Sequence, residues 1–293
     1  MNLTQLLLQS NINIKELTSK ELVTLQHFLL DIFNDIYYAC EKHGLQLMLS
    51  GGCCLGAIRH RGFIPWDDDM DIMLMREDYK RLPQALSTEF GNKYQCIGPN
   101  ISTETDMSFM RIEKPGTILR SIYDHPNQNK PVFIDVFPID NIPNNRFIRC
   151  YNAIIADSLH YVALCIKYYN YLDSPAVQLL LKNDGKNEMR KRLIIGKIFS
   201  IFTTQTKVFN IFDKFISRHT SNTIDVGVPC SRRYLREIYP RETILPVIKL
   251  PFENILAPLP QKYDIYLKTL YNNYMQLPPE DQRKHAFWIE IKL

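Results

Sequence analysis

The chain has 293 residues, 45% hydrophobic and 23% charged, which excludes wholesale disorder, collagen and coiled coil and allows a sizeable core without staples. Thirty-five Lys and Arg against 31 Asp and Glu leave a net charge of +4, too little to argue for nucleic acid. That total hides a split: residues 1–145 carry 13 basic and 18 acidic side chains, residues 146–218 carry 12 and 5, and residues 219–293 carry 10 and 8. A solvated helical face is the plainer reading of the basic middle, and a positive surface for phosphate or anionic lipid the sharper one.

The stretch Met1–Asn11 lacks a basic start and is soon interrupted by polar residues, so it reads as a poor signal peptide. No run reaches the roughly 18 apolar residues of a spanning helix. Seven cysteines without a CxxC spacing signal neither zinc nor a disulfide framework. The expectation is a cytoplasmic protein with reduced thiols.

In chain order, Thr18 and Glu21 have capping-box spacing before a helical period over Lys20–His43, and Gly44 is its stop. Leu45–Leu49 reads as a strand that ends at Ser50-Gly51-Gly52, and a short helix follows over Cys53–Arg59. Gly62-Phe63-Ile64-Pro65-Trp66 breaks the chain before Asp67-Asp68-Asp69-Met70-Asp71, and Ile72–Met75 continues as a buried strand. Arg76 opens a helix to about Phe90, with Pro83 as a break or restart. Phe109–Arg120 reads as a hairpin turned at Pro115-Gly116. Val132–Phe137 is a strand stopped by Pro138. Arg146–Arg218 is helical and aromatic, punctuated by Pro175 and by Asn183-Asp184-Gly185. Four prolines then bracket short extended pieces, and a helix follows over Gln261–Tyr274. The expected units are a core over residues 1–145, a basic helical insertion over 146–245, and a segment over 246–293 that returns to the core.

The chemistry is concentrated in the front. Asp69 and Asp71 are two apart at a strand start, so both side chains point to one face. Two carboxylates held that close repel unless a cation answers them, and Mg²⁺ is bound by one or two carboxylates together with substrate phosphates. Asp135 stands mid-strand in an apolar run, where a lone carboxylate is costly; sharing the Asp69–Asp71 metal removes that cost. Gly51-Gly52, between strand and helix, lets backbone approach a phosphate at a helix N-terminus. Each feature alone has a plainer reading: a turn, a solvated loop, a cap or ion pair. In this order they point to metal-assisted phosphoryl or nucleotidyl transfer.

The stretch Leu49–Ile72, with Gly51-Gly52, Arg59-His60-Arg61-Gly62-Phe63-Ile64-Pro65-Trp66 and Asp67-Asp68-Asp69-Met70-Asp71, resembles the signature of the LicD family. Those are phosphocholine transferases and relatives of the nucleotidyltransferase superfamily, a broader group that includes the fukutin-type ribitol-phosphate transferases. The likeness recurs at Phe133–Asp140, Leu250–Glu253, Tyr266–Tyr271 and Leu277–Glu280, so that it covers about Leu29–Asn145 and Pro246–His285. Cys53-Cys54 departs from the small residue and aliphatic more usual there. The resemblance implies an α+β fold, a small mixed sheet flanked by helices. It implies that Gly51 and Gly52 contact a diphosphate and that Asp69, Asp71 and Asp135 are catalytic and ligate Mg²⁺, with Mn²⁺ as the alternative. It implies a CDP-activated alcohol as donor, CDP-choline first, and as acceptor a hydroxyl of a cell-surface glycan or its lipid-linked precursor. Nucleotidyl transfer to a small molecule uses the same carboxylates and stays open.

Other residues carry paired readings. Arg59 and His60 could bind donor phosphates or simply pair with Asp67 or Asp68. Trp66 could cage a quaternary ammonium or wedge against Pro65. Tyr161, Tyr168, Tyr169 and Tyr171 are core or a ligand platform, and His285 could reach the site. Leu193–Phe215, apolar with interspersed lysines, is a core-facing helical pair or an amphipathic contact with an anionic membrane, which would place the protein at the inner face of the plasma membrane.

Overall fold

The computed structural model describes residues 15, 17–125, 128, 130–182, 186–280, 283 and 287–293. The readings of Met1–Asn11, of the Asn183–Gly185 stop and of His285 lie outside the described residues.

The first helix runs Ser19–His43. Its capping box forms as the spacing requires: Glu21 donates its N–H to Thr18 Oγ1 at 3.3 Å, and the Glu21 carboxylate accepts from the Thr18 N–H at 3.0 Å. Gly44 ends it in the left-handed region at φ 65°, where glycine has no Cβ penalty. Leu22, Leu25, Leu29, Phe33, Ile36 and Cys40 form its buried face.

That face lies against a mixed sheet with the order β1–β2–β6–β4–β3. Its strands are β1 (Leu47–Leu49), β2 (Asp71–Met75), β3 (Gln95–Ile97), β4 (Met110–Lys114) and β6 (Val132–Ile142). β2 and β6 are parallel, and the other pairs are antiparallel. The fold is α+β. Along β6 the core takes Val132, Ile134 and Val136, while Phe133, Asp135 and Phe137 alternate to the other face and are only half-buried.

Three expectations are corrected. Pro138 does not stop β6, which continues to Ile142. β4 pairs with β6 only as far as Val136, and β7 (Asp225–Gly227), itself paired with β8 (Ile238–Pro240), takes over from Asp140. Pro138 falls in the gap between them, where β6 has no ladder partner on that edge and a missing N–H costs little. Second, Phe109–Arg120 is not a hairpin. β5 (Ile118–Ser121) turns away after Gly116 and pairs with β11 (Trp288–Lys292), because β4 already has β3 and β6 on its two edges. Third, Pro83 does not break the helix Arg76–Phe90, whose buried Tyr79, Leu82, Ala85 and Leu86 outweigh the single lost bond.

The basic middle folds as helices Arg146–Asn170, Pro175–Leu181, Lys186–Ser200 and Gln205–Ile216. No helix among the described residues is long and apolar enough to cross a membrane. β9 (Ile248–Phe252) and β10 (Ile255–Leu259) form a separate hairpin, followed by a helix over Tyr263–Tyr271. Residues of this C-terminal part, Phe252, Leu259, Tyr266 and Leu267 among them, share one core with the sheet. A buried ion triad ties the middle in. Arg76 grips both oxygens of Asp140 at 2.6 Å and reaches Asp213 at 2.7 Å.

Candidate active site

β1 delivers the chain to Ser50, and the helix Gly51–His60 begins at once. Gly51 has φ 49°, and a Cβ there would lie 3.4 Å from Asp71 Oδ2 and 3.5 Å from the Tyr271 hydroxyl. A Cβ on Gly52 would stand 2.7 Å from Asp67 Oδ2, closer than real Cβ atoms come. The two glycines therefore let carboxylates crowd the positive end of the helix. The Gly51 N–H is already used, donating to the Tyr266 hydroxyl at 3.0 Å, and that hydroxyl also bonds Ser50 Oγ at 3.1 Å.

Asp71 opens β2 directly opposite Asp135 of β6, and Asp135 is opposite Arg111 of β4. Three neighbouring strands thus present Asp71, Asp135 and Arg111 on one face. Arg111 donates to both Asp135 oxygens, at 2.8 Å from Nε and 3.2 Å from Nη2, and its guanidinium stacks 3.5 Å from the Phe133 ring centroid. Arg111 was not singled out from the sequence. An isolated arginine in a five-residue strand carries no signal until the register is known.

The acidic loop is braced from far away. The Phe63 N–H donates to Glu253 Oε1 at 2.9 Å, and Glu253 donates its own N–H to the Arg61 carbonyl at 2.8 Å. Gln26 donates to the Asp67 carbonyl at 2.8 Å. Trp288 Nε1 donates to Asp68 Oδ2 at 2.6 Å, so Asp68 is turned into a buried contact with β11. Cys53, the departure from the family pattern, accepts the Asp71 N–H on its sulfur at 3.3 Å. Burial and then the nearby aspartates push that thiol far up, so it stays protonated.

The electrostatics of the cluster are those of uncompensated acids. Burial, then Asp68, raises Asp67 to about 7 against a weaker opposing pull from Arg59. Asp71 is raised well above the usual carboxylate range by burial and then by Asp69 and Asp135, with Arg111 opposing. Asp69 is raised by burial, then by Asp67, Asp68 and Asp135. Its side chain is nonetheless open to solvent, so like-charge crowding is the sturdier cause there. Among the described residues no lysine or arginine is bonded to Asp69 or Asp71. That donor set, the hard carboxylate oxygens of Asp71 at the cleft and of solvent-exposed Asp69 near enough to raise it, fits a divalent cation. Asp135 fits less simply: it is near enough to repel the other two, yet no three His, Cys, Asp or Glu among the described residues converge as a ready cage, and its two oxygens hold Arg111.

The cleft over this face has a volume of about 660 Å³. Gly51, Asp71 and Arg111 form its sheet end, Lys167 and His160 come from the basic middle, Arg232 and Arg236 from the β7–β8 connection, and Tyr266 and Tyr271 from the C-terminal helix. Arg59 and His60 do not line this cleft, although Arg59 stands near enough to pull on Asp67 and to feel Tyr271. Arg59 Nη1 donates to the Tyr274 carbonyl at 2.9 Å and its Nε to His60 Nε2 at 2.9 Å. Trp66 is packed among Arg59, His60 and Arg283. Of the tyrosines, Tyr171 is buried and donates to Asp106 at 3.3 Å, while Tyr161 and Tyr168 carry Arg192 on their faces.

Residues 44–153 match the family model described as LicD/FKTN/FKRP, nucleotidyltransferase domain. The lipopolysaccharide cholinephosphotransferase LicD of Haemophilus influenzae is 26% identical over 291 residues, 92% of this chain and 96% of that protein. Ribitol 5-phosphate transferase FKRP of human and of mouse is 33% identical over 73 residues, 25% of this chain and 15% of theirs.

Proposed function

Because residues 44–153 match the LicD/FKTN/FKRP family model, we propose that the protein is a metal-dependent transferase. It moves phosphocholine, or a related alcohol phosphate, from a CDP-activated donor to a hydroxyl of a cell-surface glycan or its lipid-linked precursor. The observation that carries this reading is the register. Asp71 faces Asp135 across parallel β2 and β6, Asp69 is two residues upstream, and a helix start with Gly51 closes the other side. The two named relatives transfer an alcohol phosphate, which supports the reaction class.

Asp69 and Asp71 would hold Mg²⁺, which supplies positive charge against the donor diphosphate. Arg232 and Arg236, at the rim of the same cleft, take the negative charge that grows on the departing CMP. Arg111 aims Asp135, and because it engages one lone pair on each oxygen, a second remains on each. Asp135 then receives the proton of the acceptor hydroxyl. That oxygen bonds to the phosphorus bearing the alcohol, the bond from this phosphorus to the bridging oxygen breaks, and CMP leaves with the electron pair. Positioning does most of the work. The seven cysteines are free thiols, which suits the cytoplasm as the place where this occurs.

The test is a donor screen with Mg²⁺ and a dephosphorylated glycan acceptor, comparing CDP-choline, CDP-ethanolamine, CDP-ribitol and CDP-glycerol. CMP release with a tagged acceptor is the expected result. Pyrophosphate release from a free nucleoside triphosphate would reassign the site to nucleotidyl transfer, and Asp69→Asn with unchanged turnover would remove the site assignment.

A further inference from the structure

We infer that the outer face of the helices Lys186–Ser200 and Gln205–Ile216 is a docking surface for an anionic lipid bilayer. Ile194 and Ile198, 60% and 51% exposed, lie one turn apart on the first helix, and Ile201 and Phe202, 73% and 80% exposed, carry the line into the turn that closes it, where their N–H groups bond Ile198 and Phe199. Side chains at i, i+4 and i+7 share one helix face. Arg190, Lys191 and Lys197 border that apolar line and are exposed with it. The second helix repeats the pattern, with Lys207, Ile211 and Lys214 outward and Val208, Phe209 and Phe212 buried beneath.

The face is rigid and predominantly basic. A Cβ on Gly196 would collide with the Cys165 carbonyl, so the first helix sits tight on Arg146–Asn170, and Arg192 is laid over Tyr161 and Tyr168. Between Arg190 and Arg218 there are seven basic residues and one acid. That acid, Asp213, is spent inside on Arg76. The first helix also carries one exposed acid, Glu188 in its first turn, which is paired with Arg192 at 3.2 Å; beyond it the apolar side chains are flanked by cations alone and complement acyl chains beneath anionic headgroups. The inner surface of the same unit supplies Lys167 and Phe209 to the cleft, so docking sets the active site beside the bilayer. Vesicle binding itself does not require the proposed transfer.

The full chain is sedimented with vesicles of phosphatidylcholine alone and of phosphatidylcholine mixed with phosphatidylglycerol. It is expected to partition onto the mixed vesicles only, and less as salt is added. Ile201→Asp with Phe202→Asp should abolish the partition. Lys191→Glu with Lys197→Glu should weaken it at low salt by about 25-fold or more, on the scale of about 1 kcal/mol for each cation at the surface. Equal partition onto both vesicle types, partition unchanged in both variants, or a self-association lost in Ile201→Asp/Phe202→Asp without vesicle binding would each overturn the inference. CMP release without vesicle binding would sink the docking and leave the transfer standing. Vesicle binding without CMP release would do the reverse.

Discussion

Two groups of aspartates flank the two ends of β2 and differ in what answers their charge. Asp140 and Asp213 are buried against Arg76, with contacts of 2.6 and 2.7 Å, and Asn100 donates to the second oxygen of Asp213 at 2.9 Å. At the opposite end of β2, Asp67 and Asp71 are raised by burial and then by neighbouring aspartates, and exposed Asp69 by that crowding. One strand therefore carries a closed electrostatic unit at its C-terminal end and an open one at its start. The closed unit ties the helical middle to the sheet. The open one retains the free energy of like-charge repulsion, which a cation can release.

The sharpest break of that contrast is Asp71→Asn. Turnover should fall by about 10³-fold or more, as when a charge-stabilising group is lost, while the melting temperature holds or rises because a repelled buried charge has gone. Single-turnover CMP release and a thermal melt together check this. Asp140→Ala should do the opposite: it takes from buried Arg76 its two-pronged partner, leaving Asp213 alone to answer it, and costs about 3 kcal/mol of stability, seen in a denaturant melt, with activity per folded molecule retained. Arg111→Lys keeps the charge but loses the fork, and kcat should fall about tenfold with KM little changed.

The smallest effect is in pH. A carboxyl whose folded pKa is raised binds its proton more tightly in the folded chain, so its stabilisation is full below the unfolded value of 3.8 and is lost as pH rises through about 7. Without divalent cation the melting temperature should fall between pH 4 and pH 8. Asp67→Asn should flatten that slope. Mg²⁺ at ten times its Kd should add about 1.4 kcal/mol at the upper end.

The parts of this contrast differ in how plainly they can be read in the residues. The Ser19–His43 helix was legible to within a residue, because cap, period and Gly44 are all local. That Asp71 and Asp135 lie side by side was legible, because alternation gives the face of a strand and a carboxylate alone in an apolar strand needs a partner. Arg111 was not, and although Glu253 and Tyr266 fall in stretches the likeness covers, their contacts were not either, since each acts through a partner from 24 to 215 positions away. The Phe109–Arg120 hairpin failed for the same reason: a local turn signal was overridden by competition for the edges of β4. The basic middle was legible as helix, but its outward apolar line was not, because periodicity does not say which face is covered.

Trp288 holds Asp68 across 220 positions of sequence, and Glu253 holds the Phe63 backbone across 190. Both braces lie near the carboxyl-terminal side of the chain, while the loop they fix is made early. During synthesis the acidic loop must wait for most of the polypeptide before its geometry can set. A nascent chain would thus carry its aspartates without the means to aim them, and competence would arrive late, as a property of the completed fold.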